Sequence, residues 1–164
     1  MQLNQTNLRG ILAAILSVDE SCIVPKQANW WNPQQNGDKK LWCAYRIKSN
    51  ESRTAPMYRE INGKNCVCVL KLAKIELQFV GEGSEEVAQS VAMWSLRGDV
   101  KSEFEKIHGS IQYENLSAFS TDFFQDGLNS VIAWNVSDLR VLWYDIIETN
   151  QTVLKNIELY GNVK

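Results

Sequence analysis

Two long β-like runs constrain the fold of this chain more than any other feature of its sequence. They cover residues 66–80 and 130–148, and within each run the apolar residues change from one alternating phase to the other. Successive side chains of a strand point to opposite faces, so a one-residue change of phase misdirects the later apolar residues unless a bulge absorbs it. We therefore predict a bulge or a sharp bend near Ala73. The phase changes again near Ser137–Asp138, and we expect the two strands to pair antiparallel and to bend together. The alternating residues are Leu70 and Leu72, then Ile75, Leu77 and Phe79 in the first run, and Ile132, Trp134 and Val136, then Leu139, Val141 and Trp143 in the second.

Helical periodicity marks three further segments. Residues 5–18 carry one apolar stripe, and Asn4 or Thr6 is suited to cap that helix. A second helix follows the first long strand with Ser84 as its expected N-cap, and a third begins near Asp99. The three stripes are Leu8, Ile11, Leu12, Ile15 and Leu16; Val87, Val91 and Trp94; and Val100, Phe104 and Ile107.

A polar stretch interrupts the β-rich part of the chain. A strand is predicted at residues 41–47, and the residues 48–56 that follow are polar and without periodicity. Asn62-Gly63 is typical of a tight type I′ hairpin turn. We interpret residues 48–65 as a hairpin arm that protrudes from the domain.

The order of these elements indicates an α+β fold. We predict a mainly antiparallel, long-stranded bent sheet with two or three helices packed on one face. Short strands are also predicted at residues 22–24 and 153–159, whereas residues 111–129 fit neither pattern clearly. The chain has 164 residues, which is the length of one domain, so we place a single domain at residues 1–164.

The sequence carries no motif of known chemistry. Its formal net charge is −2, without the basic stripe typical of nucleic-acid binders, and no apolar run approaches the ~20 residues that a membrane helix needs. The nearest glycine motif, at residues 81–83, holds a glutamate that would repel a phosphate, so we interpret it as a strand-to-helix turn. The single histidine, His108, lies beside a glycine at a predicted helix end, where a capping or surface role is ordinary. We predict no catalytic residue, no cofactor and no enzymatic activity.

The four cysteines allow two interpretations. A zinc site could combine Cys43, Cys66, Cys68 and His108, but the C-x-C spacing is not that of a common zinc motif. The alternative is four buried free thiols in a reducing compartment. We favour the thiols and predict no metal.

Six tryptophans are many for a chain of this length. Trp30 and Trp31 lie in a predicted loop, and three interpretations remain open for them. One ring could pack back onto the core, the pair could anchor a protein interface, or the rings could form a sugar-binding platform. The other four fall on apolar faces of predicted elements and are expected in the core: Trp42, Trp94, Trp134 and Trp143. Together with the arm, the loop pair supplies the candidate interface residues Trp30, Trp31, Arg53, Met57, Tyr58 and Arg59.

One local sequence has a family likeness. Residues 75–81, Ile-Glu-Leu-Gln-Phe-Val-Gly, lead into a helix that begins Ser-Glu-Glu-Val-Ala at residues 84–88. With this strand–helix passage, the chain resembles the tail terminator, or neck terminator, proteins of tailed bacteriophages. In that family the helix breaks, and a variable stretch, a long strand and a short closing strand follow, which residues 139–144 and 153–159 match. The proline-rich start of the first strand that is common in the family is reduced here to Pro33.

The resemblance implies a structural virion protein of the tail or neck, assembled in the host cytoplasm. Such proteins form rings, typically hexamers, that cap the finished tail tube, dock the head's connector and leave an open channel. The implied partners are further copies of this chain, the tail tube protein, the neck or head–tail connector protein and, in a contractile tail, the sheath protein. DNA would pass through the channel without specific binding, which the near-neutral charge fits, and no membrane is involved.

Three other functions remain as alternatives. The chain could be a carbohydrate- or ligand-binding module that uses exposed tryptophans, or another tail completion or baseplate component. A small enzyme with an unrecognised site is the third.

Overall fold

The computed structural model describes residues 3–28, 30–32, 40–112, 119–126 and 129–149. The closing strand predicted at residues 153–159 lies outside this part of the chain, as does most of the loop that follows Trp31. All structural statements below refer to the described residues.

The three predicted helices are present, and one of the predicted caps differs. Asn4 caps the first helix by accepting a hydrogen bond from the Asn7 amide at 2.9 Å. Gly83, with φ of 70°, takes the N-cap position of the second helix, so the prediction of Ser84 as the cap was wrong. Glycine adopts this left-handed conformation without strain, which lets the chain already be helical at Ser84. The helices are α1 (Gln5–Leu16), α2 (Ser84–Ser90) and α3 (Gly98–Glu105), with 3₁₀ turns at Glu20–Cys22 and Val91–Leu96.

Seven described strands form one sheet, in the order β1-β2-β4-β7-β5, with β3 also beside β4 and β6 beside β7. All pairs are antiparallel except the parallel pair of β1 and β2. The strands are β1 (Ile23–Pro25), β2 (Trp42–Ser52), β3 (Met57–Ile61), β4 (Lys64–Val80), β5 (Gly109–Gln112), β6 (Phe119–Asp126) and β7 (Asn129–Glu148). The first strand begins one residue later than predicted, and β5 and β6 occupy the region that the sequence left ambiguous.

The helices pack together on one face of the sheet, which confirms the predicted α+β class. Their stripes meet the sheet in a single core in which Trp94 and Phe104 are fully buried. We call this side the helix face and the other side the open face. The sheet residues buried on the helix face are Ile23, Cys43, Tyr45, Ala73, Ile75, Leu77, Phe79, Val136, Leu139, Val141 and Trp143.

The change of phase near Ser137–Asp138 coincides with a β-bulge, and the predicted antiparallel pairing of the two long strands is confirmed. Ile75 of β4 pairs with Leu139 and Leu77 pairs with Val136, so Ser137 and Asp138 together oppose the single residue Glu76. Asp138 takes the left-handed conformation with φ of 69°. The extra residue absorbs the change of phase, because the even apolar residues before it and the odd ones after it all reach the helix face.

The bulge predicted near Ala73 lies in a different strand. The pairing of β4 with β7 is continuous from Cys66 to Ile75, whereas β2 has an extra residue, Lys48, opposite this part of β4. The change of phase in β4 therefore does not come from a bulge in that strand. It marks the point where the buried face of β4 changes from the open face to the helix face. The odd residues from Ala73 to Phe79 are buried on the helix face, while Cys66, Cys68 and Leu72 are buried on the open face.

The polar stretch at residues 48–56 was predicted to begin a flexible arm, and this was partly wrong. β2 continues through Ser52, and the amide of Arg53 still donates a 2.7 Å hydrogen bond to the Leu70 carbonyl. The predicted turn is confirmed, since Asn62 and Gly63 have φ of 53° and 73°.

Gly81 joins β4 to the helix layer at a point where no side chain fits. Its φ is 100°, and a Cβ atom at this position would lie 1.9 Å from the Lys40 carbonyl oxygen. The backbone of Lys40 cannot move away easily, because β2 begins two residues later. A glycine is therefore required where the long strand turns toward α2.

We predict that Gly81→Ala lowers the free energy of unfolding by at least about 2 kcal/mol, because it combines backbone strain with a steric clash. Gly98→Ala is the matched control, since a Cβ there meets nothing within 4 Å. It should leave stability unchanged or raise it by up to about 1 kcal/mol. Urea unfolding followed by tryptophan fluorescence measures both, and equal stabilities of the two variants would contradict the requirement for glycine at residue 81.

Candidate interaction surface

Three strands continue past the end of the helix layer. No residue of β3, and none of β4 before Ala73, belongs to the helix-packed core. We define the arm as residues 57–72 with residues 144–149, which comprise β3, the first part of β4 and the end of β7. The seven residues of β4 from Cys66 to Leu72 extend the sheet by about 20 Å.

The arm exposes an apolar row on the helix face, beyond the helices. Tyr58 pairs with Val67, and Val67 pairs with Ile147, so the three side chains stand side by side across the strands. Tyr58 is 53% exposed and Ile147 is 56% exposed. Contiguous exposed apolar side chains on a sheet are typical of a contact surface.

The open face of the arm carries partnered polar side chains around buried thiols. The Arg59 guanidinium lies over the Tyr144 ring at 5.6 Å, and the Lys64 ammonium contacts the Glu148 carboxylate at 3.0 Å. Between them Cys68 is shielded, and burial raises the pKa of its thiol. A protonated thiol is a poor nucleophile, so this face offers packing rather than thiol chemistry.

The outer edge of β3 is open to solvent. Among the described strands β3 pairs only with β4, which leaves one row of its backbone donors and acceptors without a strand partner. Such an edge can accept a strand from another chain.

The structure brings together three of the residues predicted at an interface. Met57, Tyr58 and Arg59 are consecutive on β3, with Tyr58 on the helix face and the other two on the open face. Arg53 lies at the end of β2, where its guanidinium is 3.9 Å from Glu51 and remains about half exposed.

The two predicted loop tryptophans are elsewhere. Trp31 is only 4% exposed and packs with Val80 and Ala133 on the open face, at the opposite end of β4 from the arm. Twelve residues of β4 separate Cys68 in the arm from Val80, which is about 40 Å along a strand. The interpretation that one ring packs back onto the chain is therefore confirmed for Trp31, which has no face left for a sugar or a partner.

Trp30 is held beside its neighbour. Its ring meets Phe124 edge-on with centroids 5.8 Å apart, and its indole N–H donates to Gln78 Oε1. Gln78 in turn donates to the Asp122 carboxylate at 3.0 Å, which fixes β6 against the sheet. These contacts give the pair a structural role in anchoring the β6–β7 hairpin. Of the other four tryptophans, the core prediction is confirmed for Trp94 and Trp143, while Trp42 and Trp134 are partly buried.

The hypothesis of a four-ligand zinc site is wrong. Cys43 lies on the helix face opposite Phe79, whereas Cys66 and Cys68 lie on the open face and at the other end of β4. In the described part of the chain, no group of three or more His, Cys, Asp or Glu residues is placed to hold a metal ion. The four cysteines are buried free thiols, as the alternative interpretation predicted.

Sequence reasoning missed Val67 and Ile147, which complete the apolar row. A signal was present, because Ile146 and Ile147 are adjacent apolar residues at the end of a strand. Neighbours in a strand point to opposite faces, so the two isoleucines cannot both enter a core that covers only one side of the sheet.

Comparison with known proteins gives no match for this chain, either among protein-family models or among curated proteins. None of the helices in the described residues is long and apolar enough to cross a membrane.

Glu76 is the main charged contact of the open face. Its carboxylate accepts from Lys26 at 2.9 Å and from Arg46 at 2.6 Å, which ties the end of β1 and the middle of β2 to β4. Burial acts to raise the pKa of Glu76, but the hydrogen bonds and charges of the two cations outweigh it, so the net pKa is lowered. Glu76 is also the residue opposite the β7 bulge.

We predict that Glu76→Gln lowers the free energy of unfolding at pH 7 by about 1–3 kcal/mol, because the mostly buried Lys26 and the more exposed Arg46 both lose their counter-charge. A carboxylate whose pKa is depressed by folding stabilises the protein above its unfolded pKa and loses this contribution as the pH falls. The difference between wild type and variant should therefore shrink below about pH 4.5.

The control for this prediction is Glu148→Gln. Glu148 also pairs with a lysine, but its side chain is 64% exposed, so the change should cost less than about 1 kcal/mol. Unfolding curves between pH 3 and pH 7 test both variants. A Glu76→Gln effect that is as small as the control effect, or that grows as the pH falls, would contradict the assignment.

Proposed function

We propose that this chain is the subunit of a ring, typically a hexamer, in the tail or neck of a tailed bacteriophage. The ring would cap the tail tube, contact the neck or head–tail connector protein and, in a contractile tail, the sheath protein. The observation that carries the proposal is the arm, which extends beyond the helix layer with an exposed apolar row and an open strand edge. The family resemblance of residues 75–88 supports the same assignment.

A ring needs a contact between two different surfaces of the same chain, repeated until it closes. The arm provides a surface of this kind, because it lies at one end of the sheet and is unlike the opposite end, where the tryptophan cluster closes the open face. The apolar row, centred on Val67 between Tyr58 and Ile147, gives such a contact buried area, and the edge of β3 gives it backbone hydrogen bonds.

The distribution of charge supports a channel through which DNA passes. The formal net charge is −2, and several cations of the sheet are already paired with carboxylates. Lys26 and Arg46 contact Glu76, Lys64 contacts Glu148, and Lys71 contacts Asp145 at 2.7 Å. Cations that are neutralised locally release few counterions from DNA, so they favour passage over binding.

We predict that Tyr58→Asp abolishes assembly while leaving the fold intact, because it places a charge in the centre of an interface without disturbing a buried residue. The matched control is Met93→Asp, on the 3₁₀ turn after α2, since Met93 is 54% exposed and lies outside the arm. Circular dichroism and thermal unfolding check the fold of both variants. Electron microscopy of purified tail tubes with added protein, together with mass measurement, checks ring formation and capping.

The expected result is capping by the wild type and by the Met93→Asp variant, and no capping by the Tyr58→Asp variant. Normal capping by the Tyr58→Asp variant would refute the role of the arm. A wild-type chain that stays monomeric and never binds tail tubes would refute the ring itself.

A further inference from the structure

The end of β7 has a second open strand edge. The amide of Tyr144 donates to the His108 carbonyl on the side away from β4, so the backbone groups of Ile146 and Glu148 point the same way. β5 pairs with β7 only as far as Trp143, and no described strand pairs with residues 144–148 on this side. Ile146 and Glu148 therefore direct backbone donors and acceptors to an edge where no described strand pairs with them.

A hollow of about 210 Å³ lies beside this edge on the open face. This volume is larger than the ~150 Å³ of an engineered cavity that accepts benzene, so it has room for an inserted apolar side chain. Its lining is mixed, because Ile61, Cys66 and Ile146 are apolar, whereas Asn62, His108 and the paired Lys64 and Glu148 are polar. A strand that added to the edge would direct alternate side chains into the hollow.

The 15 residues that follow Thr149 have a pattern that suits this site. Val153, Ile157 and Leu159 alternate in one phase, and Lys155 shares that phase. In an extended segment these residues share one face, so an apolar side chain next to Lys155 in this phase, such as Ile157, would enter the hollow while Lys155 meets the carboxylate of Glu148.

The local geometry favours a neighbour's edge over the chain's own. The amide and the hydroxyl of Thr149 both donate to the Asn65 carbonyl, at 2.9 and 3.1 Å, which continues the course of β7 outward past its last residue. The following residues 150–152, Asn-Gln-Thr, contain no glycine, unlike the tight turn at residues 62–63. A two-residue reversal onto the same edge is therefore disfavoured.

We propose that residues 153–159 of one copy add as a strand to the 144–148 edge of β7 in the next copy. This inference rests on the proposed function, because it supplies the head-to-tail contact that a ring of identical chains requires. One chain acts as donor at its C-terminal segment and as acceptor at its arm.

The test uses the full-length chain and a fluorescently labelled peptide of residues 150–164, at chain concentrations where sedimentation shows a monomer. Two full-length chains are compared, the wild type and the Ile157→Asp variant. In the variant, the introduced charge prevents the chain's own residues 153–159 from occupying the 144–148 edge. Anisotropy should show that both bind the peptide with dissociation constants within about threefold of each other. A peptide with Ile157→Asp should bind at least about tenfold more weakly than the wild-type peptide. The matched control is a peptide with Asn156→Asp, whose changed side chain points to the opposite face of the strand. It should bind as the wild-type peptide does.

Two results would overturn the inference. Binding by the Ile157→Asp chain alone would mean that the segment of each wild-type chain occupies its own edge, and binding by neither chain would mean that the edge takes no such strand. The outcome is separable from that of the proposed function. Rings that cap tail tubes without peptide binding would leave the proposed function standing, and peptide binding without capping would leave only the strand exchange.

Discussion

The bulge at Ser137–Asp138 is the constraint on which the rest of the sheet depends. β7 is 20 residues long, and its apolar residues lie in two opposite phases. The extra residue opposite Glu76 brings both phases to the helix face, so that Val136 and Leu139 enter the same core. A second extra residue, Lys48 of β2, lies on the other flank of β4, and its ammonium is 3.7 Å from the Asp138 carboxylate. The two irregularities thus meet at one level of the sheet, close to where the helix layer ends.

This arrangement divides the sheet into regions with different surroundings. Helices cover one face from Ala73 to Phe79 of β4, and the tryptophan cluster around Trp31 covers the open face at the far end. The arm has neither cover, although its strands are as regular as those of the core. A sheet that continues beyond its covering layers exposes edges and apolar side chains, which are the elements from which protein–protein contacts are built.

The two functional proposals depend on separate parts of the arm. The ring contact uses the apolar row on the helix face, centred on Val67, whereas the strand exchange uses the hollow and the β7 edge on the open face. Both faces of one short three-stranded extension would then carry contacts. An assembly built in this way depends on the register of β4 with β7, because a one-residue slip would interchange the two faces.

Local patterns in the sequence were enough for much of the fold. The stripes at Leu8–Leu16 and Val100–Ile107, the turn at Asn62-Gly63 and the irregularity at Ser137–Asp138 are all signals between near neighbours in the chain, and each was predicted correctly. The tertiary structure alone decided that the second bulge lies in β2, that Trp31 is buried, and that Val67 stands between Tyr58 and Ile147. These features arise from strands that are distant in sequence. Alternation along one strand reports the phase of its side chains, but the partner strand and the layer that covers each face are set by contacts that the strand does not encode by itself.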